Sequence, residues 1–296
     1  MRRTRFTILT AGIASALVLA GCTTGNDNGG NDDGAADPGT NGETDSGTEQ
    51  TDDDAGTDGE TVTLQVAAVQ SPMTDVVDAA AEAIEPGYEI ELVEVSDYVT
   101  ANVILDDGDI DANFSQHVPY MEDFNEGNDA SLVGVQPVYN FVIAFYSQTI
   151  DDIADLPEGG TVAIPDDSSN MGRALKLLDD SGVITLDESV DPFESTVSDI
   201  AENPLDLEFL ELGISVLNQA YEEVDLLFQW PSHIAALDLN PEDDGLITEL
   251  DDDFALYLIV RGEEEDSAAT EAMIAAFSSD EVREVIDAND TIEVAF

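Results

Sequence analysis

From residue 61 to the C-terminus, short apolar runs alternate with segments of helical period, and this alternation restricts the fold more than any other property of the chain. Residues 61–69 (TVTLQVAAV) read as a strand, 74–84 as a helix opened by Ser71-Pro72, and 89–95 as a strand by its two-residue period. A short helix is expected at 101–105, a strand at 109–113 and a helix around 117–124. Residues 133–147 form a long, nearly continuous apolar run, and 161–164 a short strand. Pro165-Asp-Asp-Ser-Ser then leads into a helix over 170–179, for which Ser168 or Ser169 is the expected N-cap. Further strands are expected at 207–212, 224–229 and 256–260, with helices near 213–221, 231–238 and 267–288. Strand followed by helix throughout predicts an α/β fold with mostly parallel sheets. With no internal linker, two lobes sharing one chain fit better than two independent domains.

The first sixty residues have a different character. Arg2, Arg3 and Arg5 precede a mostly apolar stretch over 6–20, which contains Thr7, Thr10 and Ser15. This is the charged-then-apolar pattern of an export signal, too short to span a bilayer comfortably. It ends in Leu19-Ala20-Gly21-Cys22, and Cys22 is the only cysteine. The ending resembles the bacterial lipobox, which implies removal of residues 1–21 and acylation of Cys22 by palmitate-type chains. Each buried methylene contributes roughly 0.8 kcal/mol, so several acyl chains hold a protein firmly. A soluble secreted protein with a chance cysteine is the alternative. Arg2-Arg3 leaves the Sec or Tat route open. Residues 22–60 are Gly, Asn, Asp, Thr and Ser with almost nothing apolar, a composition expected to stay disordered. Behind a lipidated cysteine it would tether a domain to the extracytoplasmic face of the cell membrane; an acidic interaction tail is the other reading. A single cysteine excludes disulfides and thiolate metal sites within the chain.

The chain carries 67 acidic against 7 basic residues, a net charge of -60. Beyond the signal the only cations are Arg173, Lys176, Arg261 and Arg283. Nucleic acid is excluded as a partner, because phosphate neutralisation needs Lys and Arg. Attachment to anionic headgroups by charge is excluded on the same ground. Such self-repulsion strains a compact fold in dilute buffer and is screened at molar salt, so the expected surface is a halophile's. Calcium binding is the competing idea. The best loop, Asp107-Gly-Asp109-Ile-Asp111-Ala, lacks a glycine at its sixth position and has Val118 where a bidentate Glu should stand, so no EF-hand is expected.

Four motifs occur in order along the domain: Ile90-Glu-Leu-Val-Glu-Val-Ser-Asp-Tyr98, Gly108-Asp-Ile-Asp-Ala-Asn113, Gln116-His-Val-Pro-Tyr120, and Ile164-Pro-Asp-Asp-Ser-Ser-Asn-Met-Gly-Arg-Ala-Leu175, followed by Glu202-Asn-Pro204. Together they resemble the NlpA-type methionine-binding lipoproteins of ABC importers, over nearly all of 61–296. The resemblance implies a two-lobed periplasmic-binding-protein-like fold (type II) with hinge strands crossing near 141–147 and 256–260. Lobe 1 would comprise about 61–143 and 256–296, and lobe 2 about 144–255. It also implies an amino-acid-type ligand, methionine or a related amino acid or dipeptide, delivered to a permease and its ATPase.

A free amino acid needs a carboxylate partner, acceptors for its ammonium and a shaped cavity. Arg173 is the expected carboxylate partner, because guanidinium binds carboxylate bidentately and the first turn of the following helix favours an anion. By the resemblance Asn170 and Arg173 match the family's carboxylate motif, Tyr98, Asn113 and His117 fall in its ligand-lining stretches, and the family's two pocket asparagines correspond to Trp230 and Tyr257. Ser115 stands where the family has an aromatic, and Phe114 beside it faces the other way in an extended segment. The carboxylate end of the pocket is thus retained and the side-chain end altered. His117 lacks a second ligand at metal spacing, and His233, after Trp230-Pro231, matches no pocket motif and is expected to be structural. Neither metal nor cofactor is expected. The chain has no H-E-x-x-H, P-loop, G-x-S-x-G or dinucleotide turn, so a binder is expected rather than an enzyme. Two alternatives stay open: an envelope lipoprotein binding a different small anionic ligand, and a carboxylate-based hydrolase.

Overall fold

A computed structural model describes residues 61–296, and the expected signal, Cys22 acylation and tether lie outside that range. The elements run β1 (Val62–Ala68), α1 (Met73–Ala83), β2 (Tyr88–Glu94), α2 (Tyr98–Asp106), β3 (Ala112–His117), α3 (Val118–Asn128), β4 (Leu132–Phe141), β5 (Ile143–Tyr146), β6 (Thr161–Pro165), α4 (Ser168–Asp180), β7 (Thr185–Leu186), β8 (Ile200–Glu202) and β9 (Glu208–Leu212). A 3-10 helix (Ile214–Ala220) then leads to β10 (Leu226–Gln229), α5 (Pro231–Ile234), α6 (Pro241–Asp244), β11 (Ile247–Glu249), β12 (Leu256–Arg261), α7 (Ala268–Phe277), α8 (Asp280–Asp287) and β13 (Ile292–Val294).

Two sheets organise these elements. The first has the order β13-β4-β12-β3-β1-β2 and the second β11-β5-β10-β6-β9, with β7 and β8 forming a small separate ribbon. Each of the two large sheets contains only two parallel pairings and the others are antiparallel, so the sheets are mixed rather than mostly parallel. The antiparallel pairings arise where the chain leaves one sheet for the other and returns, which repeated strand–helix units do not do.

The pleat of β1 shows how the first sheet is covered. Leu64, Val66 and Ala68 pack with Met73 and Val76 of α1, Met273 of α7 and Val282 of α8, whereas Ala67 joins Ala101, Leu105 and Met121 of α2 and α3. A parallel strand buried on both faces has no polar side to display. Residues 133–147 also read as one apolar run, yet they divide at Val142 into β4 of the first sheet and β5 of the second. The chain returns through 250–255, just ahead of β12. The two crossings are tied together where Asn140 Nδ2 donates to Asp252 Oδ1 at 2.8 Å.

Several boundaries differ from the sequence reading for local reasons. The N-cap of α4 is Asp167, whose side chain accepts from the backbone N–H of Asn170, rather than Ser168 or Ser169. Asp167 is the last extended residue before the helix, whereas Ser168 and Ser169 already lie inside it. Residues 267–288 break into α7 and α8 because Ser279 caps a new helix by accepting from Val282 N. Gly172 is required by packing: a Cβ there would lie 2.2 Å from Phe193 O, so only glycine lets α4 meet the 192–194 turn.

The four cations are all engaged. Arg173 pairs with Glu249 and Lys176 with Asp180, the two ion pairs among the described residues. Arg261 Nη1 donates to the carbonyls of Leu105 at 2.9 Å and Ile110 at 2.6 Å, and Arg283 stacks on Phe296. Most carboxylates therefore have no cation to balance them. The melting temperature of the domain should rise as KCl goes from about 10 mM to molar, where the Debye length falls from about 30 Å to about 3 Å. A melting temperature flat across that range would show that carboxylate repulsion does not limit this fold.

Candidate functional site

A cavity of about 30 Å³ lies where the two sheets' helices meet, with Tyr98, Ser115, Gln116, His117 and Tyr120 on one side and Asn170, Ile214, Trp230 and Ser232 on the other. Met73, Phe141 and Leu256 complete its wall. The first group belongs to α2, β3 and α3 of the first sheet's layer, and the second to α4, the 3-10 helix and α5 around the second sheet. The cavity thus sits in a cleft between lobes, and the cleft is closed.

Three sets of hydrogen bonds hold it shut. Tyr98 Oη is 2.7 Å from His233 Nε2, and His117 Nε2 is 2.9 Å from Asn170 Oδ1. At the rim, Asp123 Oδ2 accepts from Ser168 Oγ at 2.6 Å and from Ser169 N at 3.2 Å. His233, expected to be structural, is therefore a cross-cleft partner; nothing in its local sequence pairs it with a residue 135 positions away.

His117 is the best-determined group in the site. It ends β3 and caps α3, its Nδ1 accepting from Tyr120 N at 3.1 Å. An accepting Nδ1 fixes the proton on Nε2, which then donates to Asn170 Oδ1. Asn170 in turn donates Nδ2 to Asp167 Oδ1 at 2.8 Å, so the amide orientation is fixed at both ends. Burial, then the nearby Arg173 charge, push the His117 pKa down to about 3, while the bond to Asn170 opposes the shift. Burial also brings His233 down to about 4. Both rings are neutral in the closed cleft.

Arg173 is buried but does not line the cavity. Its Nε and Nη2 reach Glu249 Oε2 and Oε1 at 2.9 and 3.2 Å, and its Cζ stands 4.4 Å from the Phe254 ring centroid. Phe254 lies 4.9 Å from the His117 ring, so the arginine braces the returning hinge segment against the cleft. The first turn of α4 is also less open to an anion than expected, since the N–H groups of Ser169 and Asn170 go to Asp123 and Asp167.

Of the expected site residues, Tyr98, His117, Asn170 and Trp230 meet at the cavity, and three do not. Asn113 is fully buried behind it, donating to Asn102 Oδ1 at 2.9 Å in an amide cluster with Gln116 and Ser115. Tyr257 packs over Gly134, and its neighbour Leu256, opposite His117 in the β3–β12 ladder, faces the cavity instead. One step along a strand exchanges faces. Arg173 is the third, its fork filled by Glu249. Tyr120, which closes the Gln116–Tyr120 motif, joins the expected residues at the cavity. Its position one helical turn after His117 brings it to the same side of the cleft.

Two lobes linked by two crossings around a cavity of mixed polar and apolar lining define the architecture of a substrate-binding protein. The NlpA lipoprotein family model matches residues 64–294, and the chain belongs to that family. The methionine-binding lipoprotein MetQ of Bacillus subtilis is 33% identical over 230 residues, covering 76% of this chain and 84% of that one. A nutrient-binding protein from Burkholderia cenocepacia, solved bound to methionine, has a TM-score of 0.74 and 31% identity over 79% of this chain and 100% of its own. Lipoprotein Tp32 from Treponema pallidum gives a TM-score of 0.76 and 30% identity over 80% of this chain and 100% of its own.

The two neutral histidines yield a direct prediction. A group whose folded pKa is depressed below its free value of about 6.5 takes up protons on opening, so the closed cleft loses stability as pH falls below that value. Being the only two histidines in the chain, their ring signals are separable by NMR. Both should stay neutral at pH 6 in the closed form, with midpoints well below 6. A midpoint near 6.5 for His117 would mean that the cleft stands open in solution.

Proposed function

We propose that this chain is the membrane-anchored, extracytoplasmic substrate-binding component of an ABC importer, and that it captures methionine or a closely related amino acid or dipeptide. The reading is carried by one observation: a cavity between lobes whose walls from both sides are joined by hydrogen bonds of Tyr98, His117, Asn170 and His233. Support for the ligand class comes from relatives named for methionine binding. Binding rather than catalysis fits a site whose histidines are buried, neutral and occupied with each lobe's partner.

The cavity is bounded by hydrogen bonds from both lobes, so ligand uptake requires the lobes to part. Hinge closure about 141–143 and 250–255 is the motion that two crossings allow. The closed form would then dock on a permease energised by its ATPase, with Cys22 acylated and 22–60 as the tether. No helix among the described residues is long and apolar enough to cross a membrane, which suits anchoring by lipid. Arg173 would meet a ligand carboxylate through its remaining nitrogen, or by drawing the fork away from Glu249.

Trp230 is the only tryptophan in the chain and lines the cavity, so its fluorescence reports binding. Titration with L-methionine, D-methionine and a panel of other amino acids and dipeptides should give a saturable change for at least one member. Arg173→Ala should weaken that binding by roughly tenfold or more and lower the melting temperature, since Glu249 is left without its partner. No response to any member would overturn the amino-acid reading.

A further inference from the structure

The inner end of α4 holds an unused acceptor rather than an unused donor. Asp167 Oδ1 takes three bonds, from Asn170 N at 3.0 Å, Asn170 Nδ2 at 2.8 Å and Ser169 Oγ at 3.2 Å. Its other oxygen, Oδ2, is buried with no hydrogen-bond partner. Leaving a buried charged acceptor unmade costs free energy that a ligand donor would recover. Asp167 lines a second cavity, of about 200 Å³, which shares Tyr98, Tyr120 and Ile214 with the inner cavity. Asp97 and Asp166 line this outer chamber too, and neither chamber's wall includes a lysine or arginine. Arg173, farther along the same helix, is already matched by Glu249. The two chambers together therefore present a carboxylate without a counter-ion beside two tyrosine rings whose centroids are 6.4 Å apart.

We infer that Asp167 is the acceptor for a protonated amine on the ligand, seated between the chambers against Tyr98 and Tyr120, with the ligand's apolar part directed to Met73, Trp230 and Leu256. This rests on the cleft being the ligand site, as proposed above, and adds which end of the ligand dominates recognition. An ammonium offers three donors and a full charge, enough for Asp167 Oδ2 and the negative face of a tyrosine ring at once. Burial, the largest influence on Asp167, raises its carboxyl pKa against the lowering by the bonds from Asn170 and Ser169, and Asp123 adds a smaller rise. That is the behaviour of a carboxylate awaiting a cation. An arriving ammonium lowers it again, so binding in mildly acidic buffer releases a proton.

The test is calorimetric titration of the full chain with the common L-amino acids, L-methionine first. The tightest binder is then compared with its N-acetyl derivative, which lacks the cation, and its carboxamide, which lacks the carboxylate. N-acetylation should weaken binding by more than about a hundredfold and amidation by much less, because the Arg173 charge is already offset. Asp167→Asn should weaken the parent amino acid by roughly tenfold or more and abolish any proton release seen when buffers of different ionisation enthalpy are compared across the acidic range. Asparagine caps helices as well as aspartate, so this variant should keep its melting temperature within a few degrees. Should Asp167→Asn fail to fold, the derivative series on the wild type decides the matter. An N-acetyl derivative that binds as tightly as its parent, or an Asp167→Asn protein with undiminished affinity, overturns the role of Asp167 and leaves amino-acid capture standing. A wild type that binds no amine-bearing amino acid overturns both.

Discussion

The hydrogen bond from His117 Nε2 to Asn170 Oδ1 joins the lobes at the centre of the cleft, and much else is arranged around it. The histidine can make it only as a neutral Nε2–H tautomer, which the Tyr120 N–H enforces by donating to Nδ1. The asparagine can receive it only with its amide turned toward β3, which Asp167 enforces by accepting from Nδ2. Each partner is fixed by the cap of its own helix, α3 or α4. The cross-cleft bond is thereby pre-organised on both sides, and closing the lobes costs little side-chain entropy there. A ligand needs only to tip a balance already built into the two surfaces, by whatever difference in affinity it has for the open and closed forms.

That geometry explains why some of the site could be read from the sequence and some could not. Tyr98, His117, Asn170 and Trp230 were legible because each sits in, or directly beside, a short motif at an element's end, where a side chain is free to face the cleft. Tyr257 was not, because it lies within a strand and a register step of one puts Leu256 on the cavity face. Asn113 and Arg173 have the right chemistry for a ligand, but their hydrogen bonds go to Asn102 and Glu249, partners set by tertiary packing. Tyr98 with His233 is the clearest case of a pairing hidden from sequence, since two unrelated segments meet only across the closed cleft.

The fold shows the same division. Alternating strands and helices revealed two lobes of α/β type, and the long apolar run at 133–147 marked where the chain changes sheet. Pairing direction was not legible: β4, β5, β11, β12 and β13 run antiparallel to neighbours that arrive from distant parts of the chain. Short strands such as β7, β8 and β13 carry too few apolar residues to announce themselves. The acidity belongs to a separate layer of design. Arg173 serves the interior, Arg261 anchors backbone, Arg283 stacks on Phe296 and Lys176 pairs with Asp180 at the surface, so most carboxylates have no cation beside them.

The central claim is that the closed cleft is one of two states and that a small ligand selects it. Small-angle X-ray scattering at molar salt, on the free protein and on protein saturated with its tightest-binding amino acid, tests this directly. The account predicts a smaller radius of gyration in the saturated sample, with a profile matching the closed arrangement of residues 61–296. An identical radius of gyration with and without saturating ligand would contradict it.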